Sequence, residues 1–308
     1  MACFHPLAAY QTTAGDILFH AKGTEGKSKH AKATDIRREL TLPCGQCIGC
    51  RLERSRQWAM RVMHEAAMHD YNAFVTLTYD DDNNDNPSLN YRHFQLFMKR
   101  LRKRFGQVRF YMCGEYGDES GRRHFHACLF GIDFTDKEYF RELPSGFKIY
   151  TSKVLDSIWE KGFCSIGEVS FESAAYVARY VCKKVTGDRA ASHYERFDKY
   201  TGEITQIVPE FSHMSLKPGI GAEWFRKYRR EVYGLSGNMD SVVVNGSEVK
   251  PAKYYDNLLK AAGDLDSDMV EFLRLNKAKR FLANNTPERL AIREKCAEAR
   301  LKFKKRVL

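Results

Sequence analysis

The sequence predicts an α+β fold, and three observations carry that reading. Short β-branched and aromatic runs alternate with stretches of helical period in the order β-α-β-β-α-β, followed by one more helix. The two middle runs are joined by "YGDESGRR", a loop punctuated by two glycines that returns the chain as a hairpin. Apolar residues make up 43% of the 308, enough to bury a substantial core. Together they describe a ferredoxin-like antiparallel sheet with helices on one face, leaving the other face free for a ligand. An N-terminal Cys-rich segment (1–53) precedes this domain (54–235), and a charged helical region (236–308) follows it.

Taken in order, residues 20–38 are polar and basic and read as a loop or mobile segment. From Arg54 to Asp70, Trp58, Val62, Met63, Ala66 and Ala67 are spaced as on a helix. "AFVTLTY" (Ala73 to Tyr79) is a strand, closed by the loop "DDDNNDNP"; its Asp80, Asp81, Asp82 and Asp85 read as a solvated turn rather than a metal site. In "YRHFQLFMKRLRKRFG", Phe94, Phe97, Met98, Leu101 and Phe105 share one helical face. Val108 to Glu115 is a second strand, and "HFHACLF" lies in the third. Ser152–Lys161 reads as a helix, Phe163–Ser170 as a strand and Glu172–Val185 as a helix. Near the C-terminus, Thr286 caps a helix that has Pro287 at its first position.

Lys and Arg number 50 against 39 Asp and Glu, a formal charge of +11. That excess favours a polyanionic partner, nucleic acid before acidic membrane. No apolar run reaches the length of a membrane span, and "MACFHPLAAYQTTAGD" does not read as a signal peptide. Nine cysteines without an export signal imply thiols or metal ligands in a reducing cytoplasm.

Two patterns carry chemistry. His124 and His126 are two apart on a strand, so they share a face opposite Phe125. They are either two surface imidazoles or a pair that grips something. Glu115, nine residues earlier on the paired strand, reaches back toward them. Two imidazoles and a carboxylate form an open site suited to Mg²⁺ or Mn²⁺, which acts as a Lewis acid there. In "SAAYVARYVCKKV", Tyr176 and Tyr180 are one helical turn apart, with Lys183 continuing their face. An aromatic core stripe is the bland reading. Against it, Val177 and Val181 already supply an apolar face, and Lys183 and Lys184 suit phosphate.

In order and spacing, "FVTLTY", "HFH" preceded by "GEYG", and "YVARYVCKK" resemble the three motifs of the HUH endonuclease superfamily. The paired tyrosines are similar to its two-tyrosine branch. "LPCGQCIGCRLERSRQW" resembles, more narrowly, the replication initiators of gokushovirus-type microviruses, to about residue 235. The resemblance implies a metal held by Glu115, His124 and His126 at the scissile phosphate of origin DNA. A tyrosinate expels a 3′-hydroxyl and stays esterified to the 5′-phosphate, with Lys183 easing the charge. The 3′ end then primes a host DNA polymerase behind a host helicase in a bacterial cytoplasm, and the displaced strand is later religated. A transposase or relaxase of the same chemistry is one alternative. A noncatalytic single-stranded nucleic-acid-binding module is another.

"CGQCIGC" places Cys44, Cys47 and Cys50 at successive C-x-x-C spacings. Three readings remain: structural Zn²⁺ with Cys3 or His5 as fourth ligand, a redox dithiol, or unrelated thiols. The cysteines at 113, 128, 164, 182 and 296 read as packing residues. Arg100, Lys103 and Arg104 form a basic helix face, either simply solvated or touching the DNA backbone.

Overall fold

A computed structural model describes residues 3–19, 36–83, 87–117, 121–183, 190–197, 202–234, 240–244, 246–263 and 266–303, with backbone alone at 180–183, 266–267 and 303. The chain divides into two compact units. One comprises Met1–Arg54 and Leu273–Lys305; the other is built on Ser55–Phe272.

In the first unit, β1 (Leu7–Thr12), β2 (Ile17–Phe19) and β3 (Ile36–Leu42) form an antiparallel sheet in the order β2-β1-β3. The expected loop over 20–38 is corrected at its end, since residues 36–38 belong to β3; residues 20–35 lie outside the described residues. Helix α1 (Ile48–Ala66) starts earlier than the spacing from Arg54 suggests, because the end of the cysteine motif already forms its first turn. The C-terminal helix Pro287–Phe303 begins as its capping residues require, with the Leu290 amide donating to the Thr286 carbonyl.

The second unit holds β4 (Asn72–Thr78), α2 (Tyr91–Phe105), β5 (Arg109–Tyr116), β6 (Arg123–Phe130), β7 (Glu138–Glu142), β8 (Lys148–Thr151), α3 (Lys153–Trp159), β9 (Cys164–Gly167), α4 (Phe171–Lys183), β10 (Glu195–Phe197), β11 (Ile204–Gln206) and β12 (Phe211–Met214). Its main sheet runs β12-β5-β6-β4-β9-β8-β7, and every neighbouring pair is antiparallel. The central β9-β4-β6-β5 order is that of the expected β-α-β-β-α-β unit. The β7–β8 hairpin and edge strand β12 were not legible beforehand. Every residue of β7 is exposed, so it shows no alternation of apolar and polar positions.

Strand parity sorts the side chains. Val75 and Leu77, Phe110 and Met112, and Phe125, Ala127 and Leu129 face α2 and α3. Gly114 stands opposite Phe125, and a Cβ there would come within 3.0 Å of that ring. On this face Trp159 is fully buried and its indole donates to the Thr78 carbonyl.

The opposite face is not free, contrary to expectation. Ala59, Val62 and Ala66 of α1 and Ala174, Val177 and Ala178 of α4 pack onto Tyr111, Cys113, Cys128 and Phe130 there. Trp58 stacks on Tyr111 with ring centroids 4.7 Å apart. The small alanines let both helices approach closely, and only the strand ends carrying Glu115 and His124 stay near an opening.

A further core joins Met60 to helix Ala222–Tyr233 and to Tyr255. Within it His64 stacks on Trp224 at 3.5 Å and lies 2.9 Å from the Tyr255 hydroxyl. Burial pushes the His64 pKa down to about 3, so the ring is neutral in the folded chain. The unfolded chain binds a proton here below the ordinary histidine pKa near 6.5. Stability is therefore full above that value and falls with pH down to about 3. Urea denaturation at a series of pH values should show a shallower acid-side loss in His64→Phe than in the unsubstituted protein; identical slopes would remove His64 as a contributor.

Candidate active site

Antiparallel register builds the site. Glu115 on β5 pairs with His124 on β6, Cys113 pairs with His126, and β4 sets Thr76 beside His126 from the other side. Paired residues share a face, so Glu115, His124, His126 and Thr76 all project toward α4. Cutting the hairpin by one residue would send Glu115 to the opposite side. The turn is closed by the Gly117 amide on the Arg122 carbonyl at 2.9 Å, with Gly121 at φ +64°.

The three side chains converge as the sequence spacing suggests. One ligand atom from each of Glu115, His124 and His126 lies within 4.8 Å of the others. Glu115 is 3% exposed and His126 7%. Oε1 of Glu115 faces Nε2 of both imidazoles, 3.1 Å from that of His126 and closer to that of His124. The Tyr176 hydroxyl donates to the same oxygen at 3.4 Å. Oε2 of Glu115 is buried without a hydrogen-bond partner. Burial pushes the Glu115 carboxyl up, but the hydrogen bonds and charge of His124 and His126 outweigh it and hold the pKa below the usual carboxylate value.

The imidazoles are oriented from behind. His124 Nδ1 lies 3.0 Å from the Arg122 carbonyl, which only accepts, so the proton sits on Nδ1. A neutral His124 then turns the bare lone pair of Nε2 toward a carboxylate oxygen. Two acceptors face each other, which either a second proton on His124 or a cation between them relieves. His126 Nδ1 lies 2.9 Å from the Thr76 hydroxyl. Phe74 stacks parallel on His126 at 5.6 Å, and Tyr176 meets it edge-on at 5.1 Å. The lone-pair conflict, the partnerless Oε2 and the backing bonds suit a divalent-cation site with open positions.

Tyr176 is thus brought to the histidines by α4. Tyr180 follows one turn later on that helix; its side chain and that of Lys183, and all of Lys184, lie outside the described residues. The cation found beside Tyr176 is exposed Arg179, its guanidinium 6.0 Å from the ring centroid. The sequence reading missed it because it keyed on Lys183. It also missed Thr76, whose part becomes visible only through strand pairing.

Beside the site opens an apolar cleft of about 180 Å³. His126 and Tyr176 line one end, and Phe140, Phe147 and Phe163 supply aromatic walls with Arg141 nearby. Two of those rings, Phe140 and Phe163, are about half exposed. The walls come largely from the unforeseen β7–β8 hairpin.

The basic face of α2 is not brought to the site. That helix packs on the other side of the sheet, where Lys103 and Arg104 are exposed. Arg100 is no free cation. It donates to the Ile158 and Trp159 carbonyls at 2.8 and 3.2 Å, tying down the end of α3, and pairs with Glu160. Asp80 accepts from the Asn83 amide and Asp81 pairs with Arg122, as in a solvated turn; Asp85 lies outside the described residues.

In the first unit Cys3, Cys44, Cys47 and Cys50 form a second cluster. His5, the alternative fourth member, instead points its exposed ring at Glu294. Of the single cysteines, Cys113, Cys128 and Cys164 are buried as expected, whereas Cys296 is exposed rather than packed.

Residues 72–185 match the family model described as a replication-associated protein of the ORF2 type. The chain is 32% identical over 271 residues to the replication-associated protein VP4 of Bdellovibrio phage phiMH2K, covering 84% of this chain and 78% of that one. It is 30% identical over 304 residues to the replication-associated protein ORF2 of Spiroplasma virus 4, covering 92% and 88%. To the replication-associated protein ORF4 of Chlamydia phage 1 it is 30% identical over 240 residues, covering 74% and 55%. No solved structure matches the chain.

Proposed function

The chain belongs to the phage replication-associated protein family, and we propose that it initiates rolling-circle replication by nicking one strand of origin DNA with a tyrosine. One observation carries this reading: the Tyr176 phenol donates to the same buried carboxylate oxygen that His124 and His126 face. Glu115, His124 and His126 would hold Mg²⁺ or Mn²⁺, and such an ion supplies Lewis-acid polarisation of a phosphate. The chain's own residues do the rest.

The Glu115 carboxylate directs the Tyr176 phenol into the site. Its oxygen attacks phosphorus, the bond to the 3′ oxygen breaks, and the 5′-phosphate is left esterified to the tyrosine. The phenol gives up a proton and the departing 3′ oxygen takes one, so the step balances. Arg179, with Lys183 and Lys184 further along, offsets the phosphate charge. The phosphotyrosyl ester keeps the phosphodiester energy, and the reverse attack by a 3′-hydroxyl religates the displaced strand. Tyr180 is the second nucleophile, needed because the first is occupied when the regenerated origin must be cut. The free 3′ end is a primer for the host polymerase and helicase in the bacterial cytoplasm.

A net charge of +11 supports DNA as the partner. Among the described residues no helix is long and apolar enough to cross a membrane. The aromatic cleft receives a base next to the scissile phosphate, stacked against Phe140 and Phe163. A transposase or relaxase would use the same chemistry, but the three phage relatives are all named for replication. A noncatalytic binding module would leave the buried Glu115 oxygen without purpose.

Incubation of the protein with supercoiled origin DNA and Mn²⁺ should give a nicked circle. His124→Ala and His126→Ala should reduce nicking by about a thousandfold while DNA affinity, set mainly by Lys and Arg, changes little. Nicking at the unsubstituted rate by either variant removes the three-residue site.

Tyr176→Phe and Tyr180→Phe should each still form a covalent DNA adduct on a denaturing gel but fail to close circles. The double variant should form none. An adduct in the double variant would discard α4 as the source of the nucleophile. Complete loss in only one single variant would indicate a one-tyrosine enzyme.

Phe140 is exposed, so Phe140→Ala should leave folding intact. It should weaken single-stranded DNA binding by about tenfold, within the ~1–3 kcal/mol of one stacked base. An unchanged Kd would mean that the cleft takes no base.

A further inference from the structure

The nicking chemistry makes no use of the four cysteines of the first unit. Antiparallel pairing of β1 with β3 sets Leu7 opposite Leu42, so the residues just before β1 meet those just after β3. Cys3 and Cys44 are thereby adjacent, and the Cys44 amide donates to the Cys3 sulfur at 3.3 Å. The chain then turns through Gly45, whose φ of +77° favours glycine, and Cys47 and Cys50 follow at the start of α1.

All four sulfurs lie within 4.8 Å of one another. Cys44 and Cys50 are 4.0 Å apart, and Cys47 and Cys3 3.9 Å. These separations are nearly twice a disulfide bond of about 2.05 Å, which argues against a redox pair. They agree with a tetrahedron of sulfurs around zinc, whose edge is about 3.8 Å for a Zn–S distance of ~2.3 Å. Backbone amides converge on the sulfurs: that of Phe4 on Cys47 and that of Cys47 on Cys44, each at 3.3 Å. Such donors stabilise thiolates rather than thiols. Unrelated thiols would have no reason to attract them.

We propose that Cys3, Cys44, Cys47 and Cys50 bind one structural Zn²⁺. Four protein ligands close the coordination sphere, so the ion takes no part in the reaction. Its task is to join the start of β1, the end of β3 and the first turn of α1 in a unit whose small sheet has little core of its own. His5 is not a ligand, since its ring is turned to Glu294.

The test is metal analysis of the full-length protein purified without chelator. About one zinc per chain is expected, retained in Cys296→Ser and His5→Ala and lost in Cys47→Ser. To guard against poor folding of Cys47→Ser, thiol alkylation of the unsubstituted protein gives a second reading. Cys3, Cys44, Cys47 and Cys50 should resist alkylation until a strong chelator is added, after which all four react and thermal stability falls. Zinc-free protein, four thiols reactive from the outset, a Cys44–Cys47 disulfide in the native chain, or iron in place of zinc would each overturn the proposal. Equal zinc loss in His5→Ala would overturn the ligand set.

Discussion

The arrangement of the second unit turns on one carboxylate. Glu115 is almost wholly buried, yet its pKa stays low, so the fold keeps a negative charge away from water. An unpaired buried charge costs several kcal/mol, which makes compensation by His124, His126 and Tyr176 a condition of folding and not an addition to it. That compensation is complete on Oε1 and missing on Oε2. The deficit is what gives the site an appetite for a cation.

The surrounding structure follows from holding that charge in place. Phe125 between the histidines anchors β6 in the opposite core, and Gly114 makes room for it next to Glu115. Thr76, Phe74 and the Arg122 carbonyl fix the imidazoles from three directions. Alanines on α1 and α4 bring both helices close to the sheet, which lowers the local dielectric and strengthens each polar contact beneath them. The cysteine cluster is a contrast in kind. Its four soft, equivalent ligands close on themselves, whereas the hard, three-sided set at Glu115 leaves positions for an oxygen ligand.

Much of this was legible in the sequence because it rests on short-range periodicity. The alternation about Phe125 fixed the shared face of His124 and His126, and a hairpin of known length brought Glu115 opposite. The helical spacing of Tyr176 likewise led to the correct face of α4. What stayed hidden depends on partners far away in sequence. The β7–β8 hairpin has no buried face, so it lacks the pattern that marks a strand. The cover over the histidine face arises from α1, whose apolar stripe looked like any amphipathic helix and named no partner. Arg100 looked like a solvated charge because nothing local announces the carbonyls of α3 that engage it. The choice of Cys3 over His5 follows from the β1–β3 register, and β3 itself was read in part as loop.

The hairpin that escaped the sequence reading also bears on how such a site is able to vary. The charged centre is constrained on every side, so a change at Thr76 or Phe74 alters the orientation of His126 itself. The walls formed by Phe140 and Phe147 touch the cleft but not the carboxylate, and they rest on a two-stranded extension at the rim of the sheet. Substitution there reshapes what lies next to the phosphate without disturbing the charge balance at Glu115. Chemistry and recognition are thus carried by different parts of one sheet: the paired central strands β4, β5 and β6 for the first, the exposed edge for the second. A family that retains its chemistry while meeting different origins needs that separation, and the physical reason it is available is that the hairpin contributes little to the core.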